Sequence, residues 1–386
     1  MPGTDRRSAA ARYLRKLSHG VAGARTGAVE AATTEALSAE HADEALEQTI
    51  QTIEHESGRS VDPASRAELE RLFLEDGKGA IERLRRAGVN ADLEARHDYA
   101  LEAIVEVDGS RPTLAVSAED RIDLGDETLG QWLGVAKKFA EPISAIATAV
   151  GRVDLDGRHK GTGFVVKDGL ILTNRHVLQE LARQRDAGKW EFKGEPTITF
   201  DADPEKSRER QFKIAKVVLA GPDEINPAAV DYNKLDFAIL ECEVTGGKAF
   251  PAPLALESDA DKIAEGRPVF TLGYPAHPGY STYESDVLDK LFRYRYGVKR
   301  FSPGEIDRGL GSAADGTGEA VFAHDATTLG GNSGSCVVDF GNDGQLVVGL
   351  HFAGVPRQAN YAHANARLHD RLADLGFTWK SWIPGR

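Results

Sequence analysis

Cysteine is nearly absent: the 386 residues contain only Cys242 and Cys336. A secreted enzyme of this size usually carries several disulfides, so a reducing, cytoplasmic compartment is expected. Neither cysteine has a CxxC neighbour. No structural zinc site is expected on that ground, and no other metal or cofactor is implied. The chain lacks an apolar run of 18 residues, so no membrane-spanning helix is expected. Its N-terminus lacks the apolar stretch of a secretory signal. Basic charge is in deficit: 47 Lys and Arg against 60 Asp and Glu leave a net charge of −13. That balance argues against a nucleic-acid partner, which needs a basic face to displace counterions from phosphate.

What is plentiful is glycine, with 40 residues, beside 16 prolines. This favours a turn-rich fold, at least in part. The abundance of Ala, Gly and Arg over Lys reads as bacterial. The length predicts two domains. Arg6, Arg7, Arg12, Arg15, Lys16 and Arg25 lie among alanines, with Asp5 the only acid before Glu30. They are expected to form a basic N-terminal arm or helix; an organelle transit peptide is the other reading.

Residues 1–110 read as a helical regulatory or partner-binding domain. Leu46, Ile50 and Ile53 recur at helical spacing. Asp62 is a candidate N-cap with Pro63 at the first helical position, and Gly77 a candidate stop. Leu69, Leu72 and Phe73 form the buried stripe between them. A shorter helix around Ile81 and Leu84 ends at Gly88, and another covers Leu93 to Ile104. His97 on that last helix reads as a satisfied boundary histidine, and no catalytic constellation occurs here. Residues 111–146 read as a connector: a hairpin over Pro112–Leu124, then a helix over Asp126–Ala140 interrupted by Pro142. From Ala149 the period turns strand-like. Short apolar runs recur from Val150–Val153 to Leu346–His351, with Gly, Pro or Asp between them, and a last helix covers Leu368–Leu375. Such spacing without intervening helices predicts an all-β double barrel of six strands each over residues 147–386. The fold class is therefore α+β multidomain, a helical domain followed by the barrels.

Three sites in the β-rich half carry chemistry. His176 follows the strand Leu170–Leu172. Asp236 opens the apolar strand Phe237–Leu240. Ser333 lies in the run Gly330-Gly331-Asn332-Ser333-Gly334-Ser335. A serine hydroxyl is a poor nucleophile at neutral pH, so His176 must take its proton and Asp236 must orient the ring. The glycines let the amides of Gly331 and Ser333 face a developing oxyanion. The chain order His, Asp, Ser differs from the orders Ser-acid-His and Asp-His-Ser of two other serine-hydrolase folds. Asp231 is a second candidate for the acid, with poorer strand context. Cys242 and Cys336 read as packing residues, and His277, His324, His363 and His369 have no metal-like spacing.

These residues, with Gly161-Thr162-Gly163-Phe164-Val165-Val166, Leu272-Gly273-Tyr274-Pro275 and Gly349-Leu350-His351-Phe352-Ala353-Gly354, resemble the trypsin-like serine peptidases of the chymotrypsin superfamily over residues 147 to 375. The resemblance implies a serine endopeptidase acting through a Ser-His-Asp triad and an acyl-enzyme on protein or peptide substrates. The alternative is a catalytically silent interaction protein on the same scaffold. Digestive members have aspartate before the nucleophile, where a freshly cut N-terminal ammonium pairs with it; Asn332 cannot make that pair. The resemblance places Thr327 where aspartate selects basic residues, so a basic P1 residue is not expected. Thr328 and His351 resemble the acid-binding pair of staphylococcal glutamyl endopeptidases, which implies an acidic P1 preference.

Overall fold

The computed structural model describes residues 10, 13–14, 40–57, 60–94, 96–97, 100–101, 111–186, 189–226, 229–244, 247–276, 296–312, 318–328, 330–355 and 359–381. The expected arm at Arg6–Arg25, apart from Ala10, Tyr13 and Leu14, lies outside these residues, as does Ile104.

Helices α1 (Glu40–Ser57), α2 (Pro63–Glu70) and α3 (Lys78–Ala87) build a core of their own from Leu46, Ile50, Leu69, Leu72, Phe73, Ile81 and Leu84. Asp62 caps α2 as expected, its Oδ1 accepting from the Ala64 amide at 3.0 Å. The expected stop at Gly77 is not one. Gly77 is helical (φ −66°), and a π-helical segment, Arg71–Gly77, runs from α2 straight into α3. The wider turn brings Leu72 and Phe73 to the core that Ala80 and Ile81 also fill, so burial overrides a local glycine signal. The real stop is Gly88, at φ 53°. His97 accepts the Glu94 amide on Nδ1 at 3.1 Å, and burial lowers its pKa.

The connector does not stand apart. β1 (Leu114–Ala115) pairs with a strand of the second barrel, and Val116 bridges Ile122. After a 3-10 turn over Glu127–Trp132 come α4 (Leu133–Lys138) and α5 (Ala140–Thr148). The break falls at Phe139, three residues before Pro142, because proline is tolerated in a first turn. Leu129, Trp132, Phe139, Ile143 and Ile146 share one core with both barrels. Lys299 fixes the arrangement. Its fully buried Nζ donates to Asp120 Oδ1 (2.6 Å), Phe200 O (2.9 Å) and Ala147 O (2.5 Å), drawing together the connector and both barrels.

The first barrel closes through β2 (Val150–Leu155), β3 (Arg158–Lys167), β4 (Leu170–Thr173), β9 (Ala238–Cys242), β8 (Gln211–Ala220) and β7 (Pro196–Thr199). Between β4 and β7 come α6 (Arg175–Leu181) and a separate hairpin, β5 (Ala182–Asp186) and β6 (Lys189–Phe192). The second barrel runs β14 (Cys336–Asp339), β11 (Pro268–Gly273), β12 (Arg300–Arg308), β13 (Val321–His324), β16 (Ala359–Ala364) and β15 (Leu346–Val355), and the β14–β15 pairing closes it. β10 (Ala255–Glu257) and β17 (Trp379–Lys380) extend it in parallel, and α7 (Asn365–Leu372) packs beside them. The chain is thus a helical N-terminal region followed by two closed six-stranded antiparallel barrels.

Candidate active site

β4 and β9 are antiparallel neighbours, with Thr173 opposite Ala238. The end of one therefore meets the start of the other on the same rim. His176, on the first turn of α6, and Asp236, just before β9, are brought together by that register alone. Asp236 Oδ1 accepts the His176 amide at 2.9 Å, and Oδ2 lies 2.6 Å from His176 Nδ1. The carboxylate is acceptor-only, so Nδ1 carries the hydrogen and Nε2 is left as the lone pair of a base. The Asp236 side chain is 3% exposed and that of His176 15%, so the carboxylate is sealed while the imidazole reaches solvent. Asn174 Nδ2 holds the Asp236 carbonyl at 2.9 Å, and the Asp236 amide donates to His363 Nε2 at 3.0 Å. His363 lies on β16, so the second barrel also secures the acid. Burial takes its pKa down to about 4, and the ring is a neutral acceptor.

Ser333 sits in the turn between β13 and β14. Gly331 and Gly334 have φ 89° and 91°, a region that residues with a Cβ avoid. A Cβ on Gly331 would also fall 2.6 Å from the Ala276 amide nitrogen. Thr162, fully buried on β3, organises this loop. Its amide donates to Ser333 O (2.8 Å) and its hydroxyl to Gly331 O (2.8 Å). The same hydroxyl accepts from the Tyr274 amide (3.1 Å), and the Thr162 carbonyl accepts from Thr173 Oγ1 (2.6 Å). One residue thus binds the Ser333 loop to the strand leading to His176.

The direction of two amides follows from peptide planarity. The Ala276 amide holds Gly330 O at 2.6 Å, and the Ser335 amide holds Asn332 O at 2.9 Å. In a trans peptide the N–H points opposite to the carbonyl, so the Gly331 and Ser333 amides are turned away from those bonds. Neither amide has a hydrogen-bond partner among the described residues. The half-buried Ser333 hydroxyl also forms none among them. Catalytic hydrogen bonds are often long in unliganded enzymes and tighten with substrate.

Of the residues expected at the specificity pocket, Thr327 turns its hydroxyl to the Arg111 carbonyl at 2.8 Å. Thr328 donates to Asn360 Oδ1 at 2.6 Å. Buried His351 sits on β15 with Nδ1 3.2 Å from His324 Nε2. Asp231 is exposed and caps a turn through the Asn233 amide at 3.0 Å, whereas Asp236 contacts His176. His277 and Leu329 lie outside the described residues. Among the described residues no cluster of three or more His, Cys, Asp or Glu could hold a metal ion. Thr162, His324, His363, Asn360 and Arg111 were not singled out in the sequence as site residues. Their roles depend on contacts between distant segments, and no local pattern marks them.

Residues 161–350 match the family described as the trypsin-like peptidase domain. A probable serine protease of Lysobacter enzymogenes is 32% identical over 331 residues, covering 81% of this chain and 83% of that protein. Among solved structures, the Rv3671c protease in its inactive form is similar with 22% identity over 62% of this chain and 95% of that one, at a TM-score of 0.38. Neuropsin, a serine protease of mouse brain, is similar with 14% identity over 60% of this chain and 95% of its own, at a TM-score of 0.44. By family match and by its curated relative, the chain belongs to the trypsin-like serine proteases.

Proposed function

We propose that the protein is an endopeptidase in which Ser333 attacks the scissile carbonyl, His176 takes the serine proton, and Asp236 holds the imidazole. The observation that carries this reading is the His176–Asp236 pair, 2.6 Å apart. It fixes the proton on Nδ1 and leaves Nε2 free to act as base. The Gly331 and Ser333 amides receive the oxyanion; removing one such donor costs about 3–4 kcal/mol of barrier. His176 then protonates the leaving amine, and water hydrolyses the acyl-Ser333 by the same steps in reverse. Labelling of the full chain by a fluorophosphonate, abolished in Ser333→Ala and His176→Ala, is the test. A chain that neither labels nor cleaves any peptide in a library is the silent scaffold instead.

An acidic P1 residue is the second part of the reading, supported by His351. Burial, with His324 and His176 nearby, holds its pKa well below 6.5, so the ring is neutral at pH 7. If His324 Nε2 donates to His351 Nδ1, the His351 hydrogen sits on Nε2 and is available to a substrate carboxylate. In this tautomer His324 Nδ1, buried without a partner, is a lone pair and not a stranded N–H. Thr328 has given its one hydrogen to Asn360, so the imidazole supplies the donor. Peptides with Glu or Asp at P1 should be cut faster than those with Ala or Leu; equal rates would end this part of the proposal. The helical region, with its separate core, fits a docking or regulatory role, and two buried, unpaired cysteines fit a cytoplasmic location.

A further inference from the structure

Arg111 lies outside the segment that matches the peptidase family, on the connector, yet it reaches the pocket wall. Its side chain is 1% exposed. Nε and Nη2 each donate to one oxygen of Asp325 at 2.7 Å, a bidentate fork, and Nη2 lies 3.3 Å from Glu305. The guanidinium also stands over Trp132, 5.6 Å from its ring centre. Asp325 begins the four residues that lead to the specificity positions, and all four are held. Asp325 is gripped by the fork. Ala326 O accepts from Asn360 Nδ2 at 2.7 Å. The Thr327 hydroxyl bonds to the Arg111 carbonyl at 2.8 Å, and that of Thr328 to Asn360 at 2.6 Å. The wall is thus held by Asn360 of β16, by Arg111 of the connector and, at Asp325, by the Glu305 backbone of β12, whose amide donates to Asp325 Oδ1 (2.8 Å) and whose carbonyl accepts from the Asp325 amide (3.1 Å).

We infer that Arg111 is a positioning residue for the specificity pocket, through which the connector sets the geometry of residues 325–328. The inference rests on the endopeptidase reading above and adds the residue outside the barrels that assembles the pocket. A guanidinium is needed because it alone matches a carboxylate with two parallel N–H groups while remaining charged when buried. Removing it leaves Asp325 as a buried charge lacking its main partner, and the wall is released on the connector side. The Ser333 loop and the two amides are held by Thr162, Ala276 and Ser335, and His176 by Asp236, none of them through this fork.

The test compares two readouts on the full chain. One is kcat and KM for a peptide with the preferred P1 residue. The other is the labelling rate with a small alkyl fluorophosphonate, which reports Ser333 without filling the pocket. In Arg111→Met we expect kcat/KM for the peptide to fall tenfold or more, mainly through KM, with labelling within threefold of wild type. Arg111→Lys should recover only part of the loss, since an ammonium has no fork. Asp325→Asn should reproduce the loss, and the double variant Arg111→Met/Asp325→Asn should lose no more than either single change. An unchanged peptide kcat/KM, or a parallel fall of both readouts, overturns the inference. Should Arg111→Met fail to fold, Arg111→Lys and Asp325→Asn are judged by the same split. A wild-type chain that neither labels nor cleaves overturns the endopeptidase reading and this inference together. An active wild type indifferent to Arg111 overturns this inference alone.

Discussion

Gly331→Ala is the most direct test of how the oxyanion site is made. The new Cβ would meet the Ala276 amide nitrogen at 2.6 Å and, at 2.7 Å each, the Tyr274 carbonyl oxygen and His159 Cε1. Two of these three are backbone atoms and cannot swing aside. The residue would also have to hold φ 89°, a strain of about 1–3 kcal/mol for a residue with a Cβ. Relief comes most readily from rotating the Gly330–Gly331 peptide, which breaks the Ala276–Gly330 bond and turns the Gly331 N–H out of the site. One oxyanion donor is then lost, at about 3–4 kcal/mol or roughly 10²–10³ in kcat. The assay is kcat on the preferred peptide, with the thermal midpoint followed in parallel. A folded Gly331→Ala protein that keeps kcat within tenfold of wild type would refute the assignment of this amide.

Two further outcomes follow from the same contacts. Asp236→Asn offers one acceptor oxygen where the carboxylate takes two bonds from His176, so the amide group must face the imidazole and favours the wrong tautomer. We expect kcat to drop on the order of 10⁴-fold with the fold intact; a loss under a hundredfold, measured by peptide hydrolysis, would contradict it. The half-buried His159 and the buried His324 and His363 make stability fall on acidification. Burial lowers His159, His324 and His363 to about 4 from the ordinary 6.5. Between pH 6.5 and 4 the unfolded chain binds protons that the native protein refuses, so stability is full above 6.5 and declines toward 4, by up to about 3 kcal/mol per ring. Urea unfolding at pH 7 and 4.5 checks this, and His324→Gln should flatten the slope; equal slopes in the two proteins would count against it.

The barrel strands with plain apolar runs were legible in the sequence: Val150–Val153, Leu170–Leu172 and Leu346–His351 open β2, β4 and β15. β12 was not, because Pro303 and Gly304 interrupt its apolar run. Pro303 is tolerated where β12 has left β1, paired at Phe301, and has not reached β13, which pairs from Ile306, so its missing N–H deprives no strand. Gly304 is required because a Cβ there would sit 2.5 Å from the Ala326 amide nitrogen, directly behind the pocket wall. The β5–β6 hairpin was also hidden, since its residues are mostly charged. His176, Asp236 and Ser333 stood out as candidates because such chemistry leaves local marks, and the structure brings the first two together. Arg111, Asn360 and His363 leave none, because each acts across a distance in sequence that only the closed barrels bring together.

Asn332 stands where the digestive enzymes that the chain resembles have aspartate, and its surroundings show how the Ser333 loop closes without their ion pair. The residue is buried, 6% exposed, with its Oδ1 3.5 Å from the Ser335 hydroxyl. An aspartate in that place would be a buried charge demanding a cation, which in those enzymes is a newly cut N-terminal ammonium. A neutral amide makes no such demand, so the nucleophile loop can close on Thr162, Ala276 and Ser335 without cleavage of the chain. A buried cation and carboxylate do lie nearby, in Arg111 and Asp325, seven residues before Asn332. There the cation arrives on a connector that is already part of the chain, only nine residues (102–110) after Leu101 of the helical region. Under the inference above, the geometry of the pocket would depend on the docked connector and not on a proteolytic event. On this argument, Asn332→Asp should lower kcat, because the new buried carboxylate finds no cation, whereas substitutions at Arg111 act mainly on KM; an Asn332→Asp protein with wild-type kcat would point back to an N-terminal ammonium that pairs with it.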